Sequence, residues 1–108
     1  MTSGNAAFEL VEDGRGRTVV RISGELDMAA LMGFDEMLVD VLADGRREVI
    51  FDLRPLEFID SSGITALLRA DKRAKEAGIR LFLAPGSKAE RLLDLVGVSK
   101  MFDRAEPE

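Results

Sequence analysis

A carboxylate, two hydroxyls and a glycine stand together in Asp60-Ser61-Ser62-Gly63, between the apolar pair Phe58-Ile59 and a stretch with helical periodicity. A helix starting there leaves amide N–H groups without intrahelical partners, and its dipole makes that end mildly positive. A hydroxyl at such a junction has two uses. It caps the helix by accepting an early amide, contributing about 1 kcal/mol. Or it carries a phosphate, which the helix end favours. One cap suffices, so a second serine leaves a hydroxyl for solvent. Gly63 in the first turn costs about 1 kcal/mol relative to Ala; close approach of another backbone or a ligand would explain it. Asp27, after Gly24-Glu25-Leu26, is a second candidate N-cap.

The rest of the composition narrows the chemistry. The chain has 108 residues, with no cysteine and no histidine. Disulfides, thiolate metal sites and Ser-His-Asp or Cys-His nucleophiles are therefore impossible within it. The carboxylates Glu9, Glu12, Glu25, Asp27, Asp52, Glu57 and Asp60 lack the spacing of a metal loop. No Walker-type glycine loop is present. Neither a metal nor a cofactor is expected. The net charge of −5, with scattered Lys and Arg, and six Phe as the only aromatics argue against nucleic acid as a partner. No apolar run reaches the roughly 18 residues that cross a bilayer. Residues 1–7 are small and polar without a signal region, so the default location is cytoplasmic.

The elements that must position the serines follow from periodicity. Residues 8–12 and 18–23 read as strands joined by the glycine-rich turn 13–17, an antiparallel hairpin. Gly24-Glu25-Leu26-Asp27 is read as breaking the second strand. Leu31, Phe34, Leu38, Val41 and Leu42 mark a helix over 28–42, ended by Asp44-Gly45. Residues 49–53 suit a central strand covered on both faces, stopped by Pro55. A helix follows the serines as far as Gly78, with a solvated face that includes an Asp71–Lys75 pair. Residues 79–83 form another strand. Ser87-Lys88-Ala89-Glu90 reads as a capping box opening a last helix, and 98–102 is a candidate return to the sheet. Met28, Met32 and Met37 read as packing or interface filler. The predicted fold is α/β: one domain over residues 8–102 with flexible termini at 1–7 and 103–108. It has a mixed, mostly parallel sheet of four to five strands, the N-terminal hairpin and three or more helices. If the strands before Asp27 and Ser61 are neighbours, both residues share one edge of the sheet, where such folds place ligands.

Gly24-Glu25-Leu26-Asp27 and Phe58-Ile59-Asp60-Ser61-Ser62-Gly63, at this separation and in this order of elements, resemble the STAS domain, and more closely the stand-alone bacterial anti-sigma factor antagonists. The resemblance implies a binding module, not an enzyme. It matches Ser61 to the serine phosphorylated by a partner that is both an anti-sigma factor and a serine kinase. It matches Asp27 to an acidic position bordering that serine. Asp60, Ser62, Gly63 and Glu25 are then expected to complete the partner-binding acidic patch, with Ser62 supporting the helix start. The unphosphorylated protein would hold the anti-sigma factor and free a sigma factor. Phosphorylation would release it, and a PP2C-type phosphatase would restore it. The alternative within the same resemblance is a STAS subunit of a signalling assembly or a transporter regulator. A receiver-like domain is disfavoured because no acidic pair follows the first strand.

Overall fold

In a computed structural model, residues 1–43 and 45–108 are described; Asp44, part of the expected helix stop, lies outside them. Strand β2 (Ala6–Glu12) pairs antiparallel with β3 (Thr18–Leu26), from Ala6 opposite Gly24 to Glu12 opposite Thr18. The Asp13 carboxylate closes the turn by accepting the N–H groups of Arg15 (3.0 Å) and Arg17 (2.9 Å). Short β1 (Thr2–Ser3) extends the antiparallel edge. On the other side of β3 run the parallel strands β4 (Glu48–Asp52), β6 (Arg80–Ala84) and β7 (Asp103–Arg104). The sheet order is β1-β2-β3-β4-β6-β7, with β5 (Leu56–Ile59) paired to β3 off this path. The described sheet thus has seven strands rather than four or five, the additions being the two-residue pieces and β5.

Three helices, α1 (Leu31–Leu42), α2 (Ser61–Glu76) and α3 (Gly86–Leu95), bury their apolar stripes with one face of the sheet. Period-2 alternation sends Val20, Ile22, Val49, Phe51, Leu81 and Leu83 into that core. Phe34 of α1 meets Phe8 and Phe51 edge-on at ring distances of 6.2 and 5.9 Å, a favoured aromatic geometry. Among the described residues the other face carries a small cluster, Val19, Ile50 and Ala84, with Val11, Phe82 and Ala105 against it. Strand β4 is thus covered on both faces, as its continuous apolar run implies, but by different means. Its continuous apolar run fills a helix-covered core on one side and this thin cluster on the other.

Five local expectations also change. Strand β3 does not break at Gly24 but runs on to Leu26, because it has partners on both sides: Glu25 N–H donates to the Asn5 carbonyl at 3.1 Å, and β5 takes the opposite edge. Gly24 has φ +80°, and a Cβ there would collide with the Asn5 carbonyl, so glycine serves the close approach and not a turn. The helix expected from Met28 begins as a 3₁₀ turn, Met28–Ala30. Asp71 is buried and only its partner Lys75 is solvated, at 2.9 Å. The Ser87–Glu90 capping box does not form: α3 starts at Gly86 without a side-chain cap. Glu90 instead binds Arg104 (2.6 Å) and accepts from the Ser99 hydroxyl (2.7 Å), because a long-range charge-assisted bond outcompetes a local cap. The segments expected to be loose carry contacts of their own, through β1, through β7 and through Arg17 Nη2 donating to the Glu106 carbonyl at 3.1 Å.

Arg104 and Ser99 hold the Glu90 carboxyl below the ordinary carboxylate range. Burial alone would push Asp52 up, but hydrogen bonds from Arg54 (2.8 and 2.9 Å) outweigh it and hold this carboxyl down too. Both groups bind a proton less readily folded than unfolded. Their stabilisation is complete above the ordinary carboxylate pKa and is lost as pH falls through the lower folded-state values. Urea unfolding followed across that acid range should show stability dropping, and Glu90→Gln should flatten part of the drop while lowering stability near neutral pH.

Candidate functional site

The site is built where β3 and β5 end side by side. Their parallel register sets Leu26 opposite Ile59, after an irregularity between Gly24 and Glu25. The next residue on each strand is an aspartate, and each opens a helical segment. Asp27 (φ −129°, ψ −171°) accepts the Ala29 N–H at 3.1 Å. Asp60 (φ −120°, ψ −170°) accepts the N–H groups of Ser62 at 2.9 Å and Gly63 at 3.3 Å through one oxygen. The two caps have nearly the same backbone conformation, and Asp60 N–H reaches back to the Leu26 carbonyl at 3.5 Å. Asp27, Asp60 and the start of α2 thus form one patch at the ends of neighbouring strands, as the sequence suggested. The neighbour that achieves this is β5, not the central strand β4.

This arrangement separates the roles of the motif. The cap of α2 is the Asp60 carboxylate. Among the described residues neither serine hydroxyl makes a hydrogen bond, so Ser62 supports the helix start through its backbone N–H and not its side chain. Ser61 is solvent-exposed at the first helical position, while Ser62 is half-buried and Gly63 buried. Gly63 packs on the end of β3: a Cβ there would lie 2.5 Å from the Leu26 carbonyl oxygen and 2.8 Å from Ile59 Cγ1. The close approach is by another backbone, one of the two explanations its presence in a helix called for. Glu25 is not drawn into the patch. Its carboxylate accepts from Asn5 Nδ2 at 2.9 Å, in the turn between β1 and β2.

Around the patch the surface is apolar in places where sequence periodicity named no site. Met28 and Met32 are 74% and 75% exposed, whereas Met37 is buried in the core. Phe58 of β5 is 48% exposed beside the buried Leu56 and Ile59. A groove between β5 and α3 is lined by Phe58, Lys88 and Arg91, with Lys88 Nζ donating to the Glu57 carbonyl at 3.1 Å. On α2, Arg69 is tied to Asp35 of α1 at 2.8 Å, which joins the two helices next to the site. In the sequence Phe58 is marked only as part of the stretch leading into the serines; the four residues of β5 do not alternate, so periodicity gives no sign of its exposure. No helix among the described residues is long and apolar enough to cross a membrane, and no group of carboxylates there is placed to hold a metal ion.

Helix propensity and packing make opposite demands at Gly63. In an unpacked helix Gly63→Ala would gain about 1 kcal/mol. Here the added methyl must push β3 and α2 apart, an overpacking cost of typically 1–3 kcal/mol. Gly63→Ala should therefore lower the stability measured by urea unfolding.

Comparison with known proteins agrees with this geometry. A family model described as STAS domain matches residues 8–107. The anti-sigma-F factor antagonist RsfB of Mycobacterium tuberculosis is 28% identical over 102 residues, spanning 94% of this chain and 84% of that protein. A crystal structure of an anti-sigma factor antagonist from Mycobacterium paratuberculosis superposes with a TM-score of 0.75 at 28% identity, over 94% of this chain and 87% of that one. The anti-sigma factor antagonist SpoIIAA in its unphosphorylated form superposes at 0.72 with 24% identity, over 93% and 89% of the two chains. At that identity the likeness speaks for the fold.

Proposed function

The chain belongs to the STAS domain family, and on that premise we propose that it is an anti-sigma factor antagonist switched by phosphorylation of Ser61. It works by binding, in the cytoplasm. Unphosphorylated, it holds an anti-sigma factor with serine kinase activity and so releases a sigma factor. Phosphorylated, it lets go, and a PP2C-type phosphatase resets it. The observation that carries this reading is the exposed, unbonded Ser61 hydroxyl beside two aspartates brought together by the β3–β5 pairing. The names of the relatives in the mycobacteria point the same way.

The switch follows from local charge. The partner docks over the patch and covers the exposed side chains of Met28, Met32 and Phe58, apolar surface that a soluble chain gains by burying. A phosphate on Ser61 adds about −1.5 to −2 charges and three oxygens next to Asp27 and Asp60. One like-charge contact near 4 Å at an effective dielectric of ~20 costs about 4 kcal/mol. Half of that weakens binding roughly 30-fold. The Ser62 and Gly63 amides are already held by Asp60. A phosphate on Ser61 therefore does not take these two amides without displacing the cap, and its charge lies on the exposed side that meets the partner. No refolding is needed.

Incubation with the cognate kinase and ATP, followed by peptide mapping by mass spectrometry, should place the phosphate on Ser61 and find none in Ser61→Ala. Modification of Ser62 that persists in Ser61→Ala would overturn the assignment. Ser61→Asp should bind the anti-sigma factor about 30-fold or more weakly than Ser61→Ala; equal affinities would sink the charge mechanism.

A further inference from the structure

We propose that the end of the sheet opposite Ser61 holds a second site, an arginine-lined cleft that binds a small, multiply charged oxyanion of the polyphosphate class. Three adjacent parallel strands, β3, β4 and β6, begin there. Each is preceded or opened by arginine: Arg15 and Arg17 before β3, Arg46 and Arg47 before β4, and Arg80 at the first position of β6. Parallel pairing brings them around one open cleft of about 710 Å³. Among the described residues its lining has five arginines against one carboxylate, Glu48, in a chain whose net charge is −5. This concentration of positive charge runs against the overall balance and is a property of the fold.

The partners of these arginines show what the cleft is suited to. Arg17 is held by the buried Asp13 carboxylate at 2.8 Å and so serves as a fixed wall of the cleft. The Glu108 carboxylate reaches both Arg15 (3.3 Å) and Arg17 (3.5 Å), so that an oxyanion already bridges two of the guanidinium groups. Arg80 is held by Glu48 at 3.2 Å and lies over the Phe82 ring at 5.2 Å, which fixes its direction. Arg46 donates to the Asp40 carbonyl at 2.7 Å at the end of α1, a cap that leaves its other N–H groups available. The Arg47 side chain has no partner among the described residues, while its carbonyl accepts from Arg80 N–H at 2.9 Å and so fixes the backbone at the cleft. Capping of helix C-termini accounts for Arg46 but not for Arg47, Arg80 and Arg15 on the same concavity. Guanidinium forks match phosphate oxygens two at a time. A cleft of this volume takes a small molecule in preference to a folded surface.

Sodium triphosphate titrated into ¹⁵N-labelled protein should shift amide resonances of residues 15–18, 45–48 and 78–80. The shifts should be saturable at physiological ionic strength. Alanine at both Arg46 and Arg47 should weaken binding by about tenfold or more, with resonances outside the cleft unmoved. Ser61→Asp should leave the affinity unchanged. Should the double variant disturb the fold, Arg47→Gln alone should still weaken binding several-fold. No saturable shift, full affinity in Arg47→Gln, or binding to phosphatidylglycerol vesicles without binding of triphosphate would each overturn the proposal.

Discussion

The parallel pairing of β5 with the last residues of β3 is the constraint on which the candidate site depends. Strand β4 accompanies β3 only from Thr18 to Arg21, and the chain then turns through Arg54 and Pro55. The remaining edge of β3, Gly24 to Leu26, would be left with unpaired backbone groups. Strand β5 fills it, and its register ends both strands at the same level, Leu26 against Ile59. Because the next residue on each side is an aspartate that caps a helical segment, two carboxylates are brought together without any bond between them.

Gly63 completes that constraint. Helix α2 can begin immediately after β5 only if its first turn lies against the carbonyl of Leu26, where no Cβ fits. The fit leaves the Ser61 side chain on the outer side of the turn and Gly63 on the inner side. With the amides satisfied by Asp60, the hydroxyl of Ser61 has no structural task in the folded chain. A residue freed in this way can be modified without loss of the helix cap, which is what a reversible charge switch requires.

The molecule is electrostatically two-ended. The ends of the parallel strands that carry Ser61 also carry Asp27 and Asp60, while their beginnings carry the arginines. Between them lies a core that is thick on the helix side and thin on the other. The segment after β7, with Ala105 against the small cluster and Glu106 and Glu108 on Arg17, covers part of the thin side. Charge placed at either end is separated from the other by the length of the strands.

Much of this was legible in the chain itself. Periodicities of 2 and 3.6 located the hairpin, the three helices and the strands that became β4 and β6. The absence of histidine and cysteine excluded a Ser-His-Asp or Cys-His nucleophile. The motif marked Asp27, Asp60, Ser61, Ser62 and Gly63. What the chain by itself determined was therefore each local element and the chemical types available, because these depend on neighbours a few residues away. Only the tertiary structure decided that Gly24 continues a strand, that Asp60 and not a serine is the cap, that Glu25 turns to Asn5 and Glu90 to Arg104, and that five scattered arginines share one cleft. Each of these rests on contacts between residues distant in sequence. The backbone of Gly63 meets Leu26, and strand register rather than spacing along the chain sets which side chains become neighbours.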